Sequence, residues 1–201
     1  MISGRFLLNS ILSKFLNMKT KQKILAISGS TRKNSTNHRL LKAIAEISKN
    51  NFDVTFYDEL SLMPSFNPDE DNENVAKEVA RFRLLISESD GVIICTPEYA
   101  HGVPGSLKNA IDWTVGTADF SRKPTLLITA STDGKYGHAA LLETLRVIEA
   151  KNISELQLLI SFASTKIDAE NKIIDGQTLN NVKTLLNKLE VAMDQSTAET
   201  E

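Results

Sequence analysis

Residues 29–37 bring together side chains that suit the binding of a phosphate group. They follow a short apolar run and precede a helical pattern that begins at Asn37, so free backbone N–H groups and the positive end of the helix dipole face this loop. The side chains that can contact phosphate oxygens are Ser30, Arg32, Ser35, Thr36 and Asn37. The loop is therefore predicted to hold a phosphate.

The glycine spacing around this loop argues against two common nucleotide-binding motifs. Neither GxGxxG nor GxxxxGK(S/T) is present, so a terminal monophosphate suits the loop better than a pyrophosphate. The alternative interpretation is that a polar turn with a good N-cap merely begins a helix. Ser35 and Asn37 are the residues to which this alternative applies most readily.

Two further segments rich in Gly and polar residues each follow an apolar run. Residues 97–113 read PEYAHGVPGSLKNAIDW after the run GVIICT, and residues 131–137 read STDGKYG after PTLLITA. Pro97 restricts the backbone where the first of these runs ends. Gly102 and Gly105 allow a turn or a close approach of a ligand to the backbone.

The elements that position these segments alternate between strand and helix. Apolar runs predict strands over 24–28, 52–57, 91–96, 124–130 and 155–162. Helical spacing of apolar residues predicts helices over 37–48, 75–89, 104–113, 139–150 and 177–193. Residues 58–74, rich in Pro, Asn and acidic side chains, are predicted to form a long surface loop.

This alternation predicts an α/β fold with a mainly parallel sheet covered by helices on both faces. Right-handed crossovers favour a doubly wound, flavodoxin-like sheet of five strands in the order 2-1-3-4-5. Ligands bind at the carboxyl ends of such strands, near the point where the order reverses. The loops after Ser28, Cys95 and Ala130 are therefore predicted to form the site.

We assign residues 19–195 to this domain and residues 196–201 to a frayed tail. Residues 1–18 are set apart because a second methionine, Met18, directly precedes the first strand pattern. They are either an upstream start or a targeting or amphipathic segment.

Composition narrows the classes of partner. A formal net charge of -2 offers no broad cationic field for nucleic acid, and no apolar run reaches the ~20 residues that an integral membrane helix needs. The single cysteine, Cys95, cannot form an internal disulfide, which suits the cytoplasm. His38, His101 and His138 have no metal-ligand spacing, so we expect no metal.

The first loop has the pattern GSxRxxSxN, and the second segment has the pattern PEYxxxxPGxLKNAxDW. Together with the glycine-bearing loop at 131–137, this combination resembles the NADPH-dependent FMN reductase family, which includes quinone, azo and chromate reductases. The resemblance extends from about residue 23 to the last helix and supports the same fold.

The resemblance implies FMN as the cofactor. It assigns the FMN phosphate to Ser30, Arg32, Ser35 and Asn37, within the loop that also contains Thr36. It places the flavin ring beside Pro97, Glu98, Tyr99, Ala100, His101 and Gly102 on one side and Ser131 and Gly134 on the other. Many family members have Asn where this chain has Ala100, so a side-chain contact from that position is lost while backbone contacts remain.

The implied activity is an NAD(P)H-dependent oxidoreductase in which FMN carries the chemistry, so no side chain is needed as a catalytic group. NADPH or NADH delivers hydride to flavin N5 and is replaced by a small acceptor, giving ping-pong kinetics. The acceptor classes are a quinone, an azo compound, a metal oxyanion or free flavin. The resemblance also implies self-association to a dimer or tetramer.

Two alternatives to this activity remain open. The first is a flavodoxin-like FMN electron carrier that does not oxidise NAD(P)H, although flavodoxins usually lack an arginine like Arg32 in the phosphate loop. The second is a flavin-free regulatory protein that binds another small phosphate.

Several side chains in the second and third segments also have a structural interpretation. Tyr99 is either a substrate wall or a packing or intersubunit contact, and His101 is either a proton donor or a solvated side chain. Four residues at helical spacing are expected to set helix packing and the oligomer interface: Lys108, Asn109, Asp112 and Trp113. Cys95 is expected to be a buried small apolar residue.

Overall fold

A computed structural model describes residues 20–198, which are built around one five-stranded parallel sheet. The strands are β1 (Gln22–Ser28), β2 (Phe52–Tyr57), β3 (Gly91–Thr96), β4 (Thr125–Ala130) and β5 (Gln157–Ile160). Their order is β2-β1-β3-β4-β5, which confirms the predicted fold. β1 pairs with both β2 and β3, so the order reverses beside β1.

Within residues 20–198, five helices cover the two faces of the sheet. They are α1 (Thr36–Ser48), α2 (Lys77–Glu88), α3 (Gly105–Asp112), α4 (Lys135–Val147) and α5 (Gly176–Ala198). Apolar residues of α1 and α5 pack with Ile24 and Ala26 of β1, whereas those of α2, α3 and α4 pack with Leu25 and Ile27. Successive side chains of β1 thus point into opposite cores, as expected for a strand buried on both faces.

The prediction was wrong about the limits of α4, which covers residues 135–147 instead of 139–150. Gly134 and Gly137 made the segment look like a loop, since glycine disfavours helix formation. The helix nevertheless begins at Lys135 because a residue from another loop caps it, as described below. It ends before Glu149, whose φ of 60° lies in the left-handed region.

β5 and the last helix also end at residues other than those predicted. β5 stops at Ile160, short of the predicted end at 162, and Phe162 has a φ of 54° that a strand does not allow. The last helix continues to Ala198, into the segment assigned to a frayed tail. The extension proposed at residues 1–18 lies outside the described residues.

The predicted loop at 58–74 contains two short 3-10 turns and is anchored on α3. The Asn109 side chain donates to the carbonyl of Pro64 and accepts from the backbone N–H of Phe66, both at 2.8 Å. The Trp113 indole N–H donates to the same Pro64 carbonyl, and its ring meets Phe66 edge to face. Asn109 and Trp113 therefore hold a loop against the helix end.

Between residues 20 and 198, no helix combines the length and the apolar character needed to cross a membrane. Over the same range, no three His, Cys, Asp or Glu side chains are grouped so that they would hold a metal ion.

Candidate functional site

Asn37 ties together the three loops that the sequence assigns to the site. Its side-chain amide donates to the Ala130 carbonyl at the end of β4 at 3.1 Å, and its side-chain oxygen lies 3.2 Å from the Cys95 thiol of β3. Asn37 is buried, so the first turn of α1 is fixed to the ends of two other strands. Its side chain positions the loops, and its first-turn backbone N–H remains for a ligand.

Cys95 is fully buried, in agreement with its interpretation as a packing residue. Burial raises the pKa of its thiol well above the usual range, so the group stays protonated. The thiol can therefore donate to the Asn37 side-chain oxygen. Cys95 supports the loops and is not suited to act as a nucleophile.

The hydroxyl groups of the first loop shape its backbone. Ser35 is the N-cap of α1 and accepts from the backbone N–H of His38 at 3.1 Å. Ser30 accepts from the backbone N–H of Arg32, and Thr36 accepts from the Arg39 guanidinium, both at 3.3 Å. An accepting hydroxyl still has its own proton to donate, so a ligand can share these groups.

A cavity of about 360 Å³ opens beside the first loop. Three cationic side chains line it, namely Arg32, Lys33 and Lys42, together with one carboxylate, Asp58. His38 also lines the cavity, with its Nε2 atom 3.5 Å from the Asp58 carboxylate. Positive charge next to a helix N-terminus fits the predicted phosphate, so the residues present suit the phosphate end of FMN.

Several lining residues of this cavity were not among the predicted site residues, and the sequence contains signals for three of them, His38, Lys42 and Asp58. His38 and Lys42 are four residues apart on α1 and therefore share one face of the helix. Asp58 directly follows β2, whose carboxyl end lies beside that of β1 in the predicted strand order.

The loop after β3 forms a tight hairpin whose tip is strained. Tyr99 and Gly102 exchange two backbone hydrogen bonds, at 3.1 and 2.9 Å. The two residues between them, Ala100 and His101, have φ values of 49° and 58°. Residues other than Gly, Asn and Asp rarely adopt this left-handed conformation. The Asn of many family members would suit the tip better than Ala100 does.

Glu98 connects this hairpin to α4. Its carboxylate accepts from the backbone N–H of Gly137 at 2.5 Å, and its backbone N–H donates to the Ser131 hydroxyl at 3.3 Å. Gly134, the N-cap residue of α4, has a φ of 91° and no side chain to cap the helix. Glu98 supplies the missing cap, while Pro97 beside it is buried. The Glu98 carboxylate thus caps the helix, and the Glu98 backbone borders the candidate site.

An exposed aromatic pair connects the tip of the hairpin to the first turn of α4. The His101 ring is 4.4 Å from the Tyr136 ring, centroid to centroid, and the Lys135 ammonium is 4.9 Å from the Tyr136 centroid. Tyr99 and Tyr136 are 52% and 48% exposed. Sequence reasoning missed Tyr136, because it was placed in a loop rather than in the first turn of α4.

Comparison with known proteins matches residues 22–165 to the family described as NADPH-dependent FMN reductase. The chain is 32% identical over 174 residues to 2-hydroxy-1,4-benzoquinone reductase of a Burkholderia species, covering 83% of this chain and 93% of that protein. It is 30% identical over 173 residues to the quinone reductase of Escherichia coli strain K12, covering 82% and 92%.

A solved structure supports the fold. The flavoenzyme NAD(P)H:(acceptor) oxidoreductase from Paracoccus denitrificans superposes with a TM-score of 0.71, covering 87% of this chain and 98% of that one. The sequence identity is 22%, so this likeness bears on the fold alone.

Proposed function

Since the chain belongs to the NADPH-dependent FMN reductase family, we propose that it passes electrons from NADPH or NADH to a small acceptor by a ping-pong route. It is an NAD(P)H-dependent oxidoreductase, and its cofactor is FMN. The proposal adds the acceptor class, the order of steps and the residues of the site. The candidate acceptors are a quinone, an azo compound, a metal oxyanion or free flavin, and the similarity to quinone reductases makes a quinone the first to test.

The observation that carries this proposal is the cationic cavity at the first loop, which Ser30 and Arg32 line. Asn37, which is not among the lining residues, joins the first turn of α1 to the ends of β3 and β4. In the proposed site, the phosphate is held by Ser30, Arg32, Ser35, Thr36 and the first-turn backbone of Asn37. The flavin ring is bordered by Pro97, Glu98, Tyr99, Ala100, His101, Gly102, Ser131 and Gly134. In this assignment Asn37 and Glu98 contribute backbone, since their side chains hold the loops.

When bound, FMN would supply the redox chemistry as a two-electron carrier. The protein chain binds the cofactor and orients its ring. Its hairpin presents backbone groups on a fixed framework, because the Glu98 carboxylate joins it to α4. The donor and the acceptor use the same open space in turn, and this shared space is the reason for the ping-pong order.

Self-association to a dimer or tetramer and a cytoplasmic location belong to the same proposal. An apolar groove of about 480 Å³ lies between α3 and α4, beside the exposed side chains of Val115 and Val147, and supports a subunit contact. Light scattering of the purified protein measures the mass and tests this part independently.

The decisive experiment is an anaerobic titration of the protein after FMN loading and desalting. A retained flavin spectrum that bleaches on addition of NADPH or NADH supports the reductase and identifies the donor, and a quinone should then restore the oxidised spectrum. Retained flavin that neither donor bleaches would favour an electron carrier. Protein that retains no flavin would favour a flavin-free phosphate-binding protein.

A further inference from the structure

Phe162 has an unfavourable backbone conformation and an exposed ring. Its φ and ψ of 54° and 38° lie in the left-handed region, which costs a bulky residue about 1 kcal/mol or more. Its side chain is 64% exposed, so burial of the ring does not offset the strain. Strain of this kind persists where the surroundings fix the backbone, and it is concentrated at functional sites.

The surroundings that fix Phe162 belong to the loop after β4. The Phe162 backbone N–H donates to the Thr132 carbonyl at 3.0 Å, and the Ala163 N–H donates to the Ser131 carbonyl at 3.1 Å. The Ser161 hydroxyl donates to the Asp133 carbonyl at 2.9 Å. The segment 161–163 is thus fastened, residue by residue, to the loop that the proposed function places against the flavin.

Exposed aromatic rings therefore flank this loop on both sides. On the β3 side, Glu98 joins the loop to the hairpin that carries Tyr99. Tyr136, at the start of α4, follows the loop in the chain. On the β5 side lies Phe162, since β4 pairs with β5. An apolar ring whose backbone is held beside a binding loop suits contact with a flat aromatic molecule.

We propose that Phe162 forms a wall of the acceptor-binding site and gives the enzyme a preference for planar aromatic acceptors over non-aromatic ones. The proposal rests on the proposed function, because it takes the loop after β4 as the border of the flavin. The hydrogen bonds of residues 161–163 hold the Phe162 backbone beside that loop, and the exposure of the side chain leaves the ring for the acceptor.

The test is the variant Phe162→Gly, compared with the unmodified protein in the oxidised, FMN-loaded form. The dissociation constant for anthraquinone-2-sulfonate, followed by the change in flavin absorbance, should rise about three- to tenfold, the effect of losing one aromatic contact. The kcat/KM for menadione should fall by a similar factor, while that for ferricyanide stays unchanged. The melting temperature should rise, because glycine adopts the left-handed conformation without strain.

Two further variants separate the effect of the aromatic ring on binding from the effect of the strained backbone on stability. Phe162→Leu removes the aromatic ring, so it should weaken quinone binding. It keeps a side chain in the strained conformation, so it should not raise the melting temperature. Arg122→Gly is the matched control, because Arg122 is exposed and has a φ of 60°. It precedes β4 and so lies at the amino-terminal ends of the strands, away from the proposed site. It should raise the melting temperature and leave quinone binding unchanged.

Unchanged quinone affinity in Phe162→Gly would overturn the proposal. An equal loss with menadione and ferricyanide, or a changed mass in light scattering, would also overturn it, the latter by identifying Phe162 as a subunit contact. Failure of the proposed function has a different signature, namely unmodified protein whose flavin is not bleached by NADPH or NADH. The binding measurement on oxidised protein does not depend on that step.

Discussion

The carboxylate of Glu98 accepts a hydrogen bond from the backbone N–H of Gly137 at 2.5 Å, so the loop after β3 caps the helix after β4. A negative charge at a helix N-terminus is favourable, and the N-cap residue Gly134 has no side chain to provide one. The hairpin and the first turn of α4 are therefore expected to move as one unit.

The variant Gly137→Ala should disturb this unit. The added methyl group would lie 3.0 Å from the Gly102 carbonyl oxygen and 3.1 Å from Cγ of Glu98, so these two groups must give way by a few tenths of an ångström. We expect the free energy of unfolding to fall by about 1–3 kcal/mol and FMN to bind more weakly. Denaturant unfolding and FMN titration measure the two effects.

Gly176→Ala provides the control for Gly137→Ala, because a methyl group there, at the start of α5, has no neighbour within 4 Å. Its FMN affinity should stay unchanged. If Gly137→Ala loses stability but keeps its full FMN affinity, the contact between the hairpin and α4 does not shape the cofactor site.

Ala100→Asn should stabilise the protein. Ala100 has a φ of 49°, and asparagine tolerates the left-handed conformation better, so the free energy of unfolding should rise by about 1 kcal/mol. FMN should bind at least as tightly, since the backbone of the hairpin is retained. Ala118→Asn, at another exposed residue with a φ of 53°, measures the backbone effect alone. A loss of stability in Ala100→Asn would show that the hairpin has no room for the larger side chain.

The sheet could be predicted because its signals are local. β2 and β3 have the predicted limits, since each is a run of strand-forming residues bounded by turn-forming ones. The strand order followed from the handedness of the crossovers, which applies to any sheet of this kind. The strand order also places the loop that we propose for the phosphate at the carboxyl end of β1, where the order reverses.

Features that depend on contacts between distant residues could not be predicted in this way. The start of α4 depends on Glu98, which is 39 positions away from Gly137 in the sequence. Asn37 was expected at the phosphate, but residue type does not reveal that its amide joins β3 and β4. The left-handed backbone of Phe162 could not be predicted either, because aromatic residues favour the extended conformation of strands.

The stability of α5 should depend on pH through Asp175. The hydroxyl of Thr178 and, to a smaller degree, its backbone N–H donate to the Asp175 carboxylate and hold the pKa of that carboxyl below its ordinary value. A carboxyl with a lower pKa in the folded state contributes stability above its unfolded pKa, and the contribution is lost as the pH falls through the folded pKa.

We therefore expect Asp175→Asn to lower the melting temperature at pH 7. The difference from the unmodified protein should shrink below about pH 4, where an unperturbed aspartate becomes protonated. Asp53→Asn, at an exposed position in β2, is the control for removing one carboxylate. A difference that stays constant from pH 7 to the acid range would contradict the assignment.

Arg32→Ala tests the phosphate site directly. Arg32 is exposed and lines the cationic cavity, so its removal should leave the fold intact while taking a charge-assisted contact from the FMN phosphate. A hydrogen bond to a charged group contributes about 1.5–3 kcal/mol, which corresponds to a roughly ten- to hundredfold rise in the dissociation constant of FMN. Riboflavin, which lacks the phosphate, should bind the variant and the unmodified protein equally. Arg122→Ala removes the same charge near the amino-terminal ends of the strands, and it should not change FMN affinity. Undiminished FMN affinity in Arg32→Ala would place the phosphate elsewhere, whereas an equal loss with riboflavin would mean that Arg32 acts on the ring or on the fold.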